Sequence, residues 1–255
     1  GTVAAPYTLK VIAYDASNNP SAAASVAITV KTTTLPTDPL PISKILDMPP
    51  VQDQGGEGSC AAFATLYARD AEQYLKTGAS SYSTTSNIFS PEFLYNQTKV
   101  GSGCSSGSAI LGSLDFLTTT GVCTWNSMPY SDQNGCSLLP TSGQTAEAAG
   151  YKIVSYSKVY ATDPTAVKTM LYNKHPLLFS TSIDDHFSSA TSGYIWNSFG
   201  TFYNNHALAL VGYDDSKNAY LAINSWGTNW GTAGYIWIDY AFFQTIAFAL
   251  YVQNP

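Results

Sequence analysis

The chain changes its period at Pro176, and that switch limits what it can fold into. Ahead of it, apolar residues recur at helical spacing. Phe63, Leu66, Tyr67, Tyr74 and Leu75 mark a helix from Cys60 to Lys76, with Ser59 placed to cap it and Gly78 to close it. Ile110, Leu111, Leu114 and Leu117 before Gly121 predict a second helix. Asp163-Pro164 opens a third that carries Val167, Met170 and Leu171. Beyond Pro176 the apolar residues fall into short runs with turn residues between them, at 177–183, 207–213, 219–223 and 235–238, as in antiparallel strands. The expected class is α+β, helical in the first half and β-rich in the second, with room for a cleft between the halves.

The N-terminal segment is a different unit. Tyr7, Leu9, Val11 and Ala13 alternate with Thr8, Lys10, Ile12 and Tyr14; a turn follows at Asp15-Ala-Ser-Asn-Asn-Pro20, and Val26, Ile28 and Val30 begin a second alternating run. The pattern resembles the last two strands of an immunoglobulin-like bacterial sandwich, with Tyr7 placed as in a tyrosine corner. Three prolines between Thr32 and Pro41 predict a linker. The expected division is a hairpin at 1–33, a linker at 34–48 and one domain at 49–255. A lone hairpin is marginal in water, so it is expected to dock on that domain or on a second chain.

Composition narrows the function classes. Apolar residues make up 45% of the 255 and charged residues 11%, which excludes a disordered chain. The net charge is −6 and the sole arginine is Arg69, so no basic face exists for phosphates and nucleic acid is not an expected partner. No apolar run approaches the roughly 20 residues of a membrane span. Gly1-Thr-Val carries no signal-peptide pattern, and the chain opens inside a strand-like pattern, so a stretch ahead of Gly1 is expected. A surface chemistry of Ser, Thr, Asn and Tyr, with cysteines available for pairing, points to a secreted or cell-surface protein.

Three segments carry chemistry. Gln54-Gly-Gly-Glu-Gly-Ser-Cys60 places a cysteine at a helix start, where the positive end of the helix dipole is expected to lower the thiol pKa. Gln54 can aim its amide at the same carbonyl oxygen as the Cys60 backbone N–H, forming an oxyanion hole. In Asn204-Asn-His206-Ala-Leu-Ala-Leu-Val-Gly-Tyr213 a histidine stands at the mouth of an apolar strand, whereas His175 and His186 look incidental. Asn224-Ser-Trp-Gly-Thr-Asn-Trp-Gly-Thr-Ala-Gly-Tyr235 offers an amide that fixes the imidazole tautomer and a Trp226 that shields the bond from water. Taken singly, each segment also reads as ordinary structure: a small buried cysteine, a strand-end histidine, core tryptophans beside a turn asparagine.

Together, in the order Gln, Cys, His, Asn, the segments resemble the papain-like cysteine peptidases over residues 49–252. The resemblance implies a two-lobed fold and peptide hydrolysis without a cofactor or metal. It gives Gln54 the oxyanion hole, Cys60 the attack, His206 the proton transfers and Asn224 the orienting of the ring. Gly107 is implied to pair its backbone with an extended peptide substrate, and Ser180, Asn205, Ala207 and Trp226 to line substrate pockets. The floor of the pocket for the second residue before the cut is expected near Thr245–Ala247. None of those residues is charged, so an apolar side chain is expected there rather than Arg or Lys.

The chain departs from the family pattern at two positions, with Glu57 in place of the first motif cysteine and Ala61 in place of the tryptophan after the nucleophile. The usual disulfide from that cysteine cannot form, and the motif looks like a bacterial branch of the family. With Cys60 assigned, Cys123 to Cys136 is the expected bridge, because the intervening loop gains most from closure, and Cys104 is left free. Cys104, Cys123 and Cys136 lack zinc-site spacing. A transpeptidase using the same triad, or a non-enzymatic surface or adhesion module, are the alternative readings.

Overall fold

The computed structural model describes residues 7–11, 24–28, 39–133 and 136–254. The chain divides into two units, Gly1–Pro39 and Leu40–Pro255. In the first, β1 (Tyr7–Val11) and β2 (Ala24–Ile28) pair antiparallel, with Tyr7 opposite Ile28 and Val11 opposite Ala24. The expected hairpin strands are therefore present. The turn at Asp15–Pro20, most of the linker and the tyrosine-corner side chain lie outside the described residues.

The second unit opens with β3 (Ser43–Ile45), followed by α1 (Cys60–Thr77), α2 (Pro91–Thr98), α3 (Ile110–Thr119) and α4 (Ser142–Ala148). Then come β4 (Ser155–Tyr160), α5 (Pro164–Tyr172), β5 (Leu177–Asp184), α6 (Asp185–Ser188) and β6 (Ile195–Trp196). β7 (Phe202–Asp214), β8 (Ala219–Ile223), β9 (Tyr235–Asp239), α7 (Tyr240–Ile246) and β10 (Ala249–Asn254) complete it. The sheet runs β4-β10-β5-β7-β8-β9-β6, with β3 on β7, and every pairing is antiparallel except β6 with β9. With most helices before β5 and most strands from β5 onward, this unit has the α+β fold that the change of period implies.

Placing residues 43–45 in the linker needs correction. β5 pairs with β7 only as far as Leu210, so the last residues of β7 have a free edge, and Ser43, Lys44 and Ile45 fill it opposite Asp214, Tyr213 and Gly212. An unpaired edge beside a buried strand is an open template, and the nearest extended segment takes it.

α1 is the spine of the helical half. Ala61 through Gln73 are all buried, and five alanines among them let neighbouring elements approach closely. The helix ends at Gly78, whose φ of 63° allows its N–H to reach the carbonyls of Leu75 and Tyr74. Ser59 stands at the N-cap but does not cap through its side chain; its Oγ lies 2.9 Å from the Tyr130 hydroxyl instead. The sole arginine is buried in this helix. Arg69 donates to Gln73 Oε1 and Tyr151 O and stacks 4.7 Å over Phe89, with its pKa pushed down by burial to about 10.

Candidate active site

α1 presents Cys60 as its first residue, half-buried at the edge of a cavity of about 690 Å³ that Gln54, Gly107, Asn205, His206 and Trp226 also line. The preceding loop packs tightly against the neighbouring wall. The Gly58 N–H donates to Cys104 O at 2.8 Å, and a Cβ on Gly58 would meet the carbonyl oxygens of Ser105 and Ser106 at 2.9 Å. Glycine is required here because backbone approaches backbone.

His206 lies on β7, flanked by β5 through its pairing with Thr181. The pairing of Ala209 with Ile223 brings the end of β8 beside the start of β7, which puts Asn224 in reach of the ring. His206 Nε2 lies 2.7 Å from Asn224 Oδ1, and the Ser225 N–H donates to that same oxygen at 2.8 Å. The second bond identifies the atom as the amide oxygen, so Nε2 carries the hydrogen and Nδ1 is left free to accept a proton. Trp226 covers the ring at a centroid separation of 5.0 Å, and Phe187 approaches it at 5.8 Å. His206 is only 5% exposed.

Gln54 is held at every polar group. Its N–H donates to Ser225 O at 2.8 Å, its carbonyl accepts from Tyr130 Oη at 2.6 Å, and its Oε1 accepts from Ser225 Oγ at 2.6 Å. Nε2 gives one hydrogen to Glu57 O at 2.7 Å, which leaves its second hydrogen for the cleft.

The electrostatics differ from the sequence expectation at Cys60. Burial pushes its thiol above the ordinary value and outweighs the backbone N–H groups of Ala207 and Ala61 that favour the thiolate, so a helix start alone does not ionise it. His206 is pushed down to about 4, chiefly by burial and against the pull of Asn224. Each group resists charging alone. Passing one proton from sulfur to imidazole charges both at once with no net charge, and the mutual attraction in a dry site offsets the two desolvation costs.

The other expected residues fall in two places. Asn205 lines the main cleft and accepts from Ser182 Oγ at 3.0 Å, while Gly107 lines the opposite wall with its carbonyl taken by the Val100 N–H. Ser180 lines a second cavity of about 300 Å³ with Ala109, Ile110, Leu111, Phe248, Ala249 and Tyr251. Ala207 pairs with Ser180 across the sheet and is itself buried. Thr245, Ile246 and Ala247, expected as a pocket floor, do not line this second cavity, whereas Phe248, Ala249 and Tyr251 do. α7 runs to Ile246 and Ala247 turns inward, so the chain faces the cavity only where β10 begins.

The disulfide is also corrected. Cys104 and Cys136 are bonded, with Cα atoms 5.3 Å apart, while Cys123 is free and buried, its carbonyl accepting from the Ser90 N–H. Loop composition favoured Cys123, but proximity in the folded state decides pairing. Sequence reasoning also passed over Ser225, which lies inside a recognised motif, and over Tyr67, Phe187 and Tyr130, which lie in none. The Tyr67 hydroxyl accepts from the Gln52 N–H and donates to Asn224 O, so α1 ties together the segments that carry Gln54 and Asn224. His175 does not line the cleft; its Nδ1 lies 2.7 Å from the buried Glu72 of α1.

Comparison with known proteins agrees with this geometry. Residues 42–248 match the family described as papain family cysteine protease. The gamete and mating-type specific protein A of Dictyostelium discoideum is 33% identical over 192 residues, which is 73% of this chain but 39% of that protein's length. Zingipain-2 of Zingiber officinale is 29% identical over 73% of this chain and 80% of its own. Among solved structures, xylellain, a cysteine protease from Xylella fastidiosa, is similar with a TM-score of 0.73 and 27% identity, covering 85% of this chain and 87% of that one. The bromelain protease from Ananas comosus shares the fold, with a TM-score of 0.65 at 22% identity over 85% of this chain and all of its own. With the match spanning most of its length and the cysteine, histidine, asparagine and glutamine gathered at one cleft, this chain belongs to the papain family of cysteine proteases.

Proposed function

We propose that the protein hydrolyses peptide bonds with Cys60 as nucleophile, His206 as general base and acid, Asn224 as the group that orients the ring, and Gln54 with the Cys60 N–H as oxyanion hole. His206 Nδ1 takes the thiol proton as Sγ attacks the carbonyl carbon, and the resulting oxyanion receives hydrogen bonds from the Cys60 N–H and the free Nε2 hydrogen of Gln54. The intermediate collapses to a thioester as the His206 proton passes to the leaving amine. Water, deprotonated by the same nitrogen, then releases the acid and restores the thiol. The observation that carries the reading is the 2.7 Å bond from His206 to Asn224, which fixes the tautomer and leaves Nδ1 for the thiol. Neither the transpeptidase nor the adhesion-module alternative gains a specific observation.

The cavity beside Ser180 takes the side chain of the second residue before the cut. Its walls are Ile110, Leu111, Phe248, Ala249 and Tyr251 without a carboxylate, so Leu, Val or Phe is favoured by about 25 cal/mol per Å² buried, while Arg or Lys loses hydration uncompensated. A positional peptide library reads this directly, and a dominant Arg or Lys signal refutes it. Gly107 supplies backbone pairing to an extended peptide, and Trp226 borders the leaving-group side. The disulfide supports a site of action outside the reducing cytosol, secreted or at a cell surface.

Labelling with a thiol-directed epoxide tests the mechanism. Modification should map to Cys60 with loss of peptide turnover; a label on Cys104, Cys123 or Cys136, with turnover retained after stoichiometric labelling, refutes the assignment.

A further inference from the structure

Glu57 lies three residues before the nucleophile, in the loop that carries Gln54, with 4% of the residue exposed. Its backbone carbonyl receives the Gln54 side-chain amide, while its carboxyl oxygen Oε2 lies 3.3 Å from Tyr130 Oη. Tyr130 therefore has three neighbours: the Gln54 carbonyl at 2.6 Å, Ser59 Oγ at 2.9 Å and Glu57 Oε2. It has one hydrogen to give.

With Glu57 protonated the network closes. Glu57 and Ser59 each donate to Tyr130 Oη, and Tyr130 donates to the Gln54 carbonyl. With Glu57 ionised, the carboxylate faces a phenolic lone pair unless Tyr130 turns its hydrogen away from Gln54. We propose that Glu57 and Tyr130 are positioning residues for the oxyanion hole, forming a proton-dependent brace in which neutral Glu57 holds Tyr130 on Gln54 and ionised Glu57 releases it. The inference rests on the reading of Gln54 as oxyanion donor.

The surroundings support the neutral form. Among the described residues Glu57 Oε1 has no hydrogen-bond partner, and a buried carboxylate oxygen without one disfavours the ionised form. Burial and then the Glu92 carboxylate of α2 push its pKa upward, with Asp132 adding to them, against the Tyr130 hydroxyl and Lys99. Glu92 is spent on Asn96 and the Ser131 N–H, Asp132 on the Gly56 N–H, and Lys99 on the carbonyls of Asn96 and Cys136. The Tyr95 hydroxyl lies 2.6 Å from the Cys104 carbonyl and 2.7 Å from the Ser106 carbonyl, so its one hydrogen is committed to that pair. The Cys104–Cys136 sulfurs, within 4.8 Å of the carboxylate, are joined to each other and offer it no donor.

The test compares kcat across pH for the wild type, Glu57→Gln, Tyr130→Phe and Gln54→Ala, each normalised to the fraction of enzyme that an irreversible thiol reagent titrates. Dividing the wild-type profile by that of Glu57→Gln cancels the ionisations of Cys60 and His206. Glutamine keeps a donor for Tyr130 Oη and cannot ionise, so the ratio should be near one at acid pH and fall about tenfold through a single titration as pH rises. Tyr130→Phe should lower kcat at acid pH and converge on the wild type once Glu57 is ionised, and combining it with Glu57→Gln should add no further pH dependence. A flat wild-type to Glu57→Gln ratio while Gln54→Ala loses kcat overturns the brace and leaves the oxyanion reading standing. Unchanged kcat in Gln54→Ala overturns the reading beneath it.

Discussion

Replacing Asn224 with alanine removes the acceptor of two buried donors, His206 Nε2–H at 2.7 Å and the Ser225 N–H at 2.8 Å. The ring keeps its place against Trp226 and Phe187 and keeps Nδ1, so the base survives but its tautomer and tilt are no longer fixed. In the transition state the ring is an imidazolium, and a hydrogen bond to a charged group contributes about 1.5–3 kcal/mol. At 1.36 kcal/mol per decade this becomes a loss of roughly 10- to 150-fold in kcat/KM. His206→Ala removes the base itself and should lose more, beyond about 10³-fold. The assay is kcat/KM on a fluorogenic peptide with Leu at the second position before the cut, normalised to folded enzyme by circular dichroism. Losses equal to those of His206→Ala, or an Asn224→Ala enzyme within about threefold of wild type, would refute the orienting role.

Cys60→Ala should abolish peptide hydrolysis while leaving the melting temperature within a few degrees of wild type, since alanine suits a helix start; turnover within about tenfold of wild type sinks the mechanism. Non-reducing peptide mapping should find Cys104 joined to Cys136, and Cys104→Ser should cost roughly 3–4 kcal/mol of stability for a sequence separation of 32, read by chemical denaturation. His175 is held above its ordinary pKa by Glu72, so the pair stabilises the fold fully below the unfolded histidine pKa of about 6.5 and loses that contribution as pH rises through the folded pKa. With His175 partly solvated, the effect should be about 1 kcal/mol or less: Glu72→Gln should lower the melting temperature more at pH 5.5 than at pH 9, and equal losses at both would refute the coupling.

Much of the site was legible because its residues belong to short segments whose local structure the sequence dictates. Cys60 opens a helix because an apolar helical period begins there. His206 within β7 and Asn224 just past β8 come together because two apolar runs are separated by a turn. The order of glutamine, cysteine, histidine and asparagine marked the family, and the change of period at Pro176 marked the fold class.

What the tertiary structure decided depends on distances between segments far apart in the chain. Cys136 bonds Cys104 rather than Cys123 because the folded loops bring those Cα atoms to 5.3 Å, and loop composition carries no such distance. Residues 43–45 leave the linker for the sheet because β7 outruns β5, a fact about two other strands. The Cys60 thiol is pushed up rather than down because desolvation is a property of everything packed around it, whereas the helix dipole that the sequence reveals is a property of one segment. Tyr130, 76 residues from the Gln54 carbonyl it holds, belongs to no motif, since a hydrogen bond across the fold constrains a position in space and leaves no period in the sequence.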